Sequence, residues 1–252
     1  MASAPVAAAG LSKSFELRRG ETVPVLRHVD FTAGWGQMTG IVGPSGSGKS
    51  TLMYCLAGLE SVSNGSVRVL GQEVTRMSRA QSARFRRDHL GFVFQSYNLV
   101  PSMSVEDNLR LPFTLRGAKY PWDRAAGLLD RLGILGLRRQ NVTLLSGGEQ
   151  QRVALARVLV ADPEIVFADE PTGALDVKSS RQLLGILRDM ATRHGQTIVM
   201  VTHDPNAAAY TDRALVVRDG LIAADIAHPA AADVVRVLEQ GAEPANAEAG
   251  AR

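Results

Sequence analysis

The run Gly43-Pro44-Ser45-Gly46-Ser47-Gly48-Lys49-Ser50-Thr51 sets two glycines around a four-residue gap and follows them with a cation and two hydroxyls. This is the G-x-x-x-x-G-K-[ST] spacing. Glycines let a backbone curl until successive N–H groups face inward onto phosphate oxygens. A helix opening near Lys49 turns the positive end of its dipole toward the same anion. In that setting Lys49 reaches the outer phosphates, and the Ser50 hydroxyl is a ligand for Mg2+. An apolar strand at 38–42 and a periodic helix after 49 supply the context that the motif needs.

Such a loop also needs an acid for the metal. Ile165-Val166-Phe167-Ala168-Asp169-Glu170 places one at the carboxyl end of an apolar strand, where α/β sheets bind ligands. Asp169 would hold Mg2+ through water. Glu170, one residue on, points elsewhere and suits a general base that polarises the attacking water. Taken alone, the two acids would serve equally well as a helix cap. Ser146-Gly147-Gly148-Glu149 opens a helix and reads as a second phosphate-binding terminus. It reads also as a capping box, and both roles can hold together. Gln95 follows an apolar strand at 90–94, and its amide oxygen can ligate Mg2+ or the attacking water; a polar turn residue is the plain alternative. His203 follows the strand at 197–202 and can hydrogen-bond a terminal phosphate, or be an ordinary loop histidine. Asp176 sits in a turn after the acidic strand and can equally cap the next helix.

The elements that must carry these residues follow from hydropathy and punctuation. Residues 6–15 and 23–31 read as strands around a polar turn. Leu52, Cys55, Leu56 and Leu59 recur at helical spacing after the loop. Asn64-Gly65 is a turn signal before a strand at 66–70. From about 104 to 137 the pattern is helical, with breaks at Pro112, Pro121 and Gly133. A helix at 179–193 presents Leu183, Leu184, Leu187 and Met190 on one face. Residues 214–218 and 221–224 flank Asp219-Gly220 as a hairpin with a type I′ turn, and 233–239 holds a short helix. Strands alternating with helices predict a mostly parallel sheet covered on both faces, with a small antiparallel subdomain beside it and a helical insertion.

With 252 residues and 45% hydrophobic content the chain can bury a full core, and chain-wide disorder is excluded. A single cysteine, Cys55, excludes a disulfide scaffold. No apolar run reaches membrane-spanning length, so a soluble, cytoplasmic chain is expected. The net charge is only +3, and 5% aromatic content argues against a base-stacking surface, so no nucleic-acid partner is expected. Arg79, Arg84, Arg86 and Arg87 read as a solvated helix face, or as a contact with acidic lipid or a partner. After Gly241 the Ala/Glu/Pro-rich chain is expected to be disordered.

Taken in order, the phosphate loop, Gln95, Leu145-Ser146-Gly147-Gly148-Glu149-Gln150, Asp169-Glu170, Asp176 and His203 resemble the ATP-binding cassette (ABC) ATPases over roughly 6–224. The resemblance implies an α/β P-loop NTPase with a RecA-like core, an antiparallel β-subdomain and a helical subdomain carrying the signature motif. It places the nucleotide-binding domain at 1–228, the helical subdomain at about 97–160 and a tail at 229–252. It implies ATP and Mg2+ as cofactors, residues 43–51 around the phosphates, Phe15 stacking on adenine, and Val25 in the same nucleotide-binding set. It further implies a head-to-tail homodimer, in which Ser146, Gly147, Gly148 and Glu149 of one copy close on ATP held by the other, with Asp176 at the same boundary. Residues 90–101 and 168–176, with the polar insert 17–25, resemble the macrolide-export and lipoprotein-release subfamily. That likeness implies a separate transmembrane permease, docked near Tyr97, Asn98 and Leu99, and a peripheral location on the inner face of the membrane. A mechanical or regulatory membrane complex without transport is the alternative. Repair-type ATPases fit poorly, because the interval 49–146 holds no sustained heptads.

Overall fold

The computed structural model describes residues 4–16, 21–94, 96–173 and 175–240. Gln95, part of the 17–25 insert and the Ala/Glu/Pro-rich end from Gly241 lie outside the described residues. In chain order the strands and helices are β1 (Val6–Glu16), β2 (Thr22–Ala33), β3 (Met38–Val42), α1 (Lys49–Leu56), β4 (Asn64–Val69), β5 (Gln72–Glu73), α2 (Arg79–His89), β6 (Leu90–Val93) and α3 (Val105–Arg116). They continue as α4 (Trp122–Arg131), α5 (Gly147–Ala161), β7 (Ile165–Asp169), α6 (Val177–His194), β8 (Thr197–Thr202), α7 (Pro205–Ala208), β9 (Arg213–Arg218), β10 (Leu221–Ala227) and α8 (Ala231–Gln240).

Strands β3, β7 and β8 are buried at every residue, which is why they read as unbroken apolar runs and not as alternating ones. They lie inside a six-stranded sheet of order β10-β9-β3-β8-β7-β6. Neighbours from β9 to β6 pair in parallel; β10 alone runs back, across a turn with Asp219 at φ 49 and Gly220 at φ 76. Two positive φ values in succession define the expected type I′ turn. Register pairs Val42 with Thr202 and Asp169 with Val201. The carboxyl ends of three strands are thereby level, and the loops leaving them share one edge.

Alternate residues of β7 and β8 face opposite layers. Val166, Ala168, Ile198 and Met200 join Val105, Leu109, Leu129, Val153 and Leu187 in one core. Ile165, Phe167, Val199 and Val201 join α1 and the second, antiparallel sheet of order β2-β1-β4-β5, through Leu52, Leu56, Leu11, Phe31 and Val67. A third, small cluster seats Val234 of α8 on Val42, Ala214 and Val216.

Three local expectations are corrected. Pro112 lies inside α3 and does not end it. Its missing N–H leaves the Asn108 carbonyl without a helical donor, but burial of Val105, Leu109 and Phe113 on the face shared with α5 outweighs that loss. Pro121 and Gly133 do bound α4. Leu59 is past the end of α1 and exposed, because Gly58 takes φ +63 and ends the helix. Asn64-Gly65 is no hairpin turn: it lies within β4, at a register shift opposite β1. There Gly65 at φ +87 lets the backbones meet, since a Cβ would stand 2.5 Å from the Gly10 carbonyl oxygen.

The basic cluster also divides. Arg79 and Arg84 are exposed, whereas Arg86 is half-buried and donates to the Gly58 carbonyl and the Ser82 hydroxyl, tying α2 to the end of α1.

Candidate functional site

Strand β3 ends at Val42, and the chain turns at once through 43–51. A Cβ on Gly43 would lie 2.1 Å from the Val217 carbonyl oxygen and 2.9 Å from Ser47 Oγ, so only glycine lets the loop pass β9. Gly43→Ala should therefore destabilise the fold by about 1–3 kcal/mol through overpacking. Thermal unfolding checks this, and an unchanged midpoint would show that the loop yields freely.

Gly46 and Gly48 take φ 78 and φ 100. Beside Gly48 a Cβ would stand 3.0 Å from the Val25 carbonyl oxygen, which puts half-buried Val25 against the last turn of the loop. Pro44, Ser45 and Gly46 are exposed, and Thr51 is half-buried. Ser47 is the opposite: its hydroxyl is buried without a hydrogen-bond partner among the described residues. Lys49 is buried and donates from Nζ to the Pro44 carbonyl at 2.7 Å. Burial lowers its pKa, and the nearby Glu170 and Asp169 charges oppose that shift. The loop thus encloses a desolvated cation and an unpaired hydroxyl, both suited to an anion.

Asp169 ends β7 as a buried carboxylate held from two sides. Ser50 Oγ donates to Oδ1 at 3.0 Å, and Tyr54 Oη donates to Oδ2 at 2.6 Å. Burial first, then the bond to Asp169, pushes the Tyr54 pKa up to about 12, so the phenol keeps its proton. Glu170 follows with φ +47, a conformation rare for a residue with a Cβ. Its N–H donates to the Val201 carbonyl at 3.0 Å, and its carboxylate lies 2.8 Å from Nδ1 of exposed His203.

The N-terminus of α5 is a complete capping box. Ser146 Oγ accepts from the Glu149 N–H at 3.4 Å, and the Glu149 carboxylate accepts from the Ser146 N–H at 2.8 Å. The Ser146 hydroxyl also donates to the Glu149 carboxylate at 2.7 Å, and that bond first, then the one from the Ser146 N–H, holds the Glu149 carboxyl below its ordinary pKa. A Cβ on Gly147 would lie 3.2 Å from Tyr97 Oη, and one on Gly148 would lie 3.7 Å from Leu175. Asp176 caps α6, accepting from the Ser179 N–H at 2.9 Å and from its hydroxyl at 2.8 Å. Phe15 is exposed on one side, with Lys13 Nζ 4.6 Å from the ring centroid; Lys13 is itself paired with Glu60 at 2.6 Å.

The structure therefore gathers 43–51, Asp169, Glu170 and His203 at one edge of the sheet. Residues 146–149 are joined to 43–51 by no hydrogen bond or ion pair among the described residues. Three contacts went unread in the sequence. Besides Tyr54, Gln151 of α5 donates through Nε2 to the Pro171 carbonyl, binding α5 to the loop that leaves Glu170. Arg157 donates to the Asn98 carbonyl at 2.8 Å and to that of Tyr97 at 3.1 Å, securing two successive residues at positive φ (47 and 62). Of these only Tyr54 left a readable signal, its i+4 spacing from Ser50.

A G-x-x-x-x-G-K-[ST] loop leaving the first parallel strand, with an acid at the end of a strand two places along the sheet, defines a P-loop NTPase fold. The ABC transporter family profile matches residues 26–173. The bacitracin export ATP-binding protein BceA of Halalkalibacterium halodurans is 42% identical over 200 residues, 79% of either chain. The macrolide export ATP-binding/permease protein MacB of Psychrobacter cryohalolentis is 43% identical over 213 residues, 83% of this chain but 32% of that one. The chain thus spans about a third of the length of that relative. The dimeric post-hydrolysis structure of the ATP-binding cassette MJ0796, bound to ADP and Pi, superposes with a TM-score of 0.83 at 32% identity, covering 88% of this chain and 98% of that one. The chain belongs to the ABC transporter family, as an ATP-binding and ATP-hydrolysing cassette.

Proposed function

We infer that this cassette powers a separate transmembrane permease and that the pair exports a drug-, lipid- or lipoprotein-like cargo. Relatives named for bacitracin and macrolide export support that direction. Among the described residues no helix is long and apolar enough to cross a membrane. Residues 97–99 are the docking surface for the permease, and the cassette sits peripherally on the cytoplasmic face. In the domain division, 1–228 is the nucleotide-binding domain, about 97–160 the helical subdomain and 229–252 the tail.

One observation carries the chemistry: Ser50, next to Lys49 at the start of α1, donates to Asp169 Oδ1 at 3.0 Å, which sets the loop beside Asp169 and the adjoining Glu170. Lys49 draws in the outer phosphates, the loop N–H groups and the Ser47 hydroxyl cradle them, and Phe15 stacks on adenine beside Val25. Ser50 and Asp169 fit Mg2+, because a hydroxyl and a carboxylate oxygen 3.0 Å apart are hard donors of the kind it takes alongside water and phosphate. Gln95 is the further oxygen ligand. Bound there, Mg2+ neutralises charge on the phosphates. Glu170 accepts the proton of the attacking water. As the imidazolium, with both ring nitrogens carrying protons, His203 donates from Nδ1 to Glu170 and from Nε2 to the terminal phosphate.

Ser146, Gly147, Gly148 and Glu149 complete the site from a second copy of the chain, with Asp176 at the boundary. ATP then acts as the bridge, and hydrolysis opens it. Gel filtration of Glu170→Gln with Mg–ATP should show a dimer, and a monomer without nucleotide. Gly147→Asp in that background should stay monomeric, since its carboxylate meets the partner's phosphate. A Glu170→Gln monomer at every ATP concentration overturns the shared site.

A further inference from the structure

Ser50 and Tyr54 stand four residues apart on α1, so their side chains share one face. Both end on Asp169, and on different oxygens: Ser50 at Oδ1, Tyr54 at Oδ2. We propose that Tyr54 is a positioning residue for Asp169, its hydroxyl locking the carboxylate so that Oδ1 stays turned, with Ser50, toward the cation and the phosphates. The inference rests on the Mg2+ reading of Ser50 and Asp169.

A carboxylate turns about a terminal torsion with broad, two-fold preferences. One hydrogen bond leaves that rotation loosely restrained. Ser50 is a poor sole restraint, because its oxygen must also serve the metal. Tyr54 supplies an independent one. Its bond, at 2.6 Å, is short and made to an ionised acceptor, the strong class of hydrogen bond. The ring is itself held, packed against the buried cluster that contains Leu52 and Leu56. The Tyr54 carbonyl further accepts from the N–H groups of Leu59 and Glu60, at 2.9 and 3.1 Å, closing the end of α1. Tyr54 therefore ties a rigid helix end to the far oxygen of Asp169. Groups that orient metal ligands in this way govern metal affinity as well as activity.

Tyr54→Phe removes one hydroxyl and keeps the packed ring. Mn2+ is the probe, being a spectroscopically visible substitute for Mg2+. Calorimetry with Mn2+ and with EDTA gives the gain in ATP affinity that the metal confers, and the electron paramagnetic resonance spectrum reports the bound ion. In Tyr54→Phe the metal-dependent gain should fall by about tenfold or more and the Mn2+ spectrum should broaden, while ATP affinity in EDTA stays at the wild-type value. An unchanged metal-dependent gain overturns the proposal, and so does an equal loss of affinity in EDTA. Asp169→Asn separates the two layers of inference. If it gains as much from Mn2+ as the wild type does, the metal assignment is what fails. If it loses the gain while Tyr54→Phe keeps it, the metal assignment stands and the role of Tyr54 falls.

Discussion

Glu170→Gln is expected to slow steady-state ATP hydrolysis by about 10²–10⁴-fold, the range contributed by a positioned general base, while ATP binding persists. The amide matches the carboxylate in shape but cannot take a proton from water. Its oxygen can still accept from His203 Nδ1, which lies 2.8 Å from the native carboxylate. Residue 170 also sits at φ +47, a backbone state that costs on the order of 1–3 kcal/mol and persists only where the surroundings impose it. The N–H bond to Val201 imposes it here, and that bond is indifferent to the side chain. The variant should therefore keep the site geometry and lose the chemistry. Phosphate release measured beside equilibrium ATP binding separates the two. A variant that turns over at the wild-type rate would remove Glu170 from the proton path.

Lys49→Ala should weaken ATP binding by about 2–5 kcal/mol, the cost of truncating one partner of a buried charge pair, or roughly 30-fold to a few thousandfold. The magnitude follows from burial. Lys49 is largely removed from water, and that desolvation lowers its pKa even with Glu170 and Asp169 nearby. A charge already stripped of water interacts strongly with an arriving triphosphate, because little screening intervenes. Alanine leaves the N–H cradle but removes the only cation that 43–51 contains. Calorimetric titration with ATP checks this, and wild-type affinity would show that the phosphates lie elsewhere.

Much of this protein was legible residue by residue. The phosphate loop could be read because its demands are local: glycine where the backbone curls, a cation and a hydroxyl at the next helix start. The strands ending at Val42, Asp169 and Thr202 could be read because burial on both faces writes an apolar run. The capping box of Ser146 and Glu149 and the Asp219-Gly220 turn were legible for the same reason, since each is closed within a few residues.

Where such local signals misled, packing over a distance had intervened. Pro112 stays helical through the burial of its neighbours on α3, and Asn64-Gly65 became a strand irregularity opposite Gly10. Composition and spacing thus established the chemistry on offer and the elements that carry it. Folding in three dimensions settled which groups meet: Tyr54 with Asp169, Gln151 with Pro171, Arg157 with the carbonyls of Tyr97 and Asn98, Glu170 with His203. Those partners lie 33 to 115 residues apart in most cases, and 20 apart for Gln151 and Pro171. Side chains so separated are brought into register by sheet order and helix packing, and no local pattern of residue types encodes that distance.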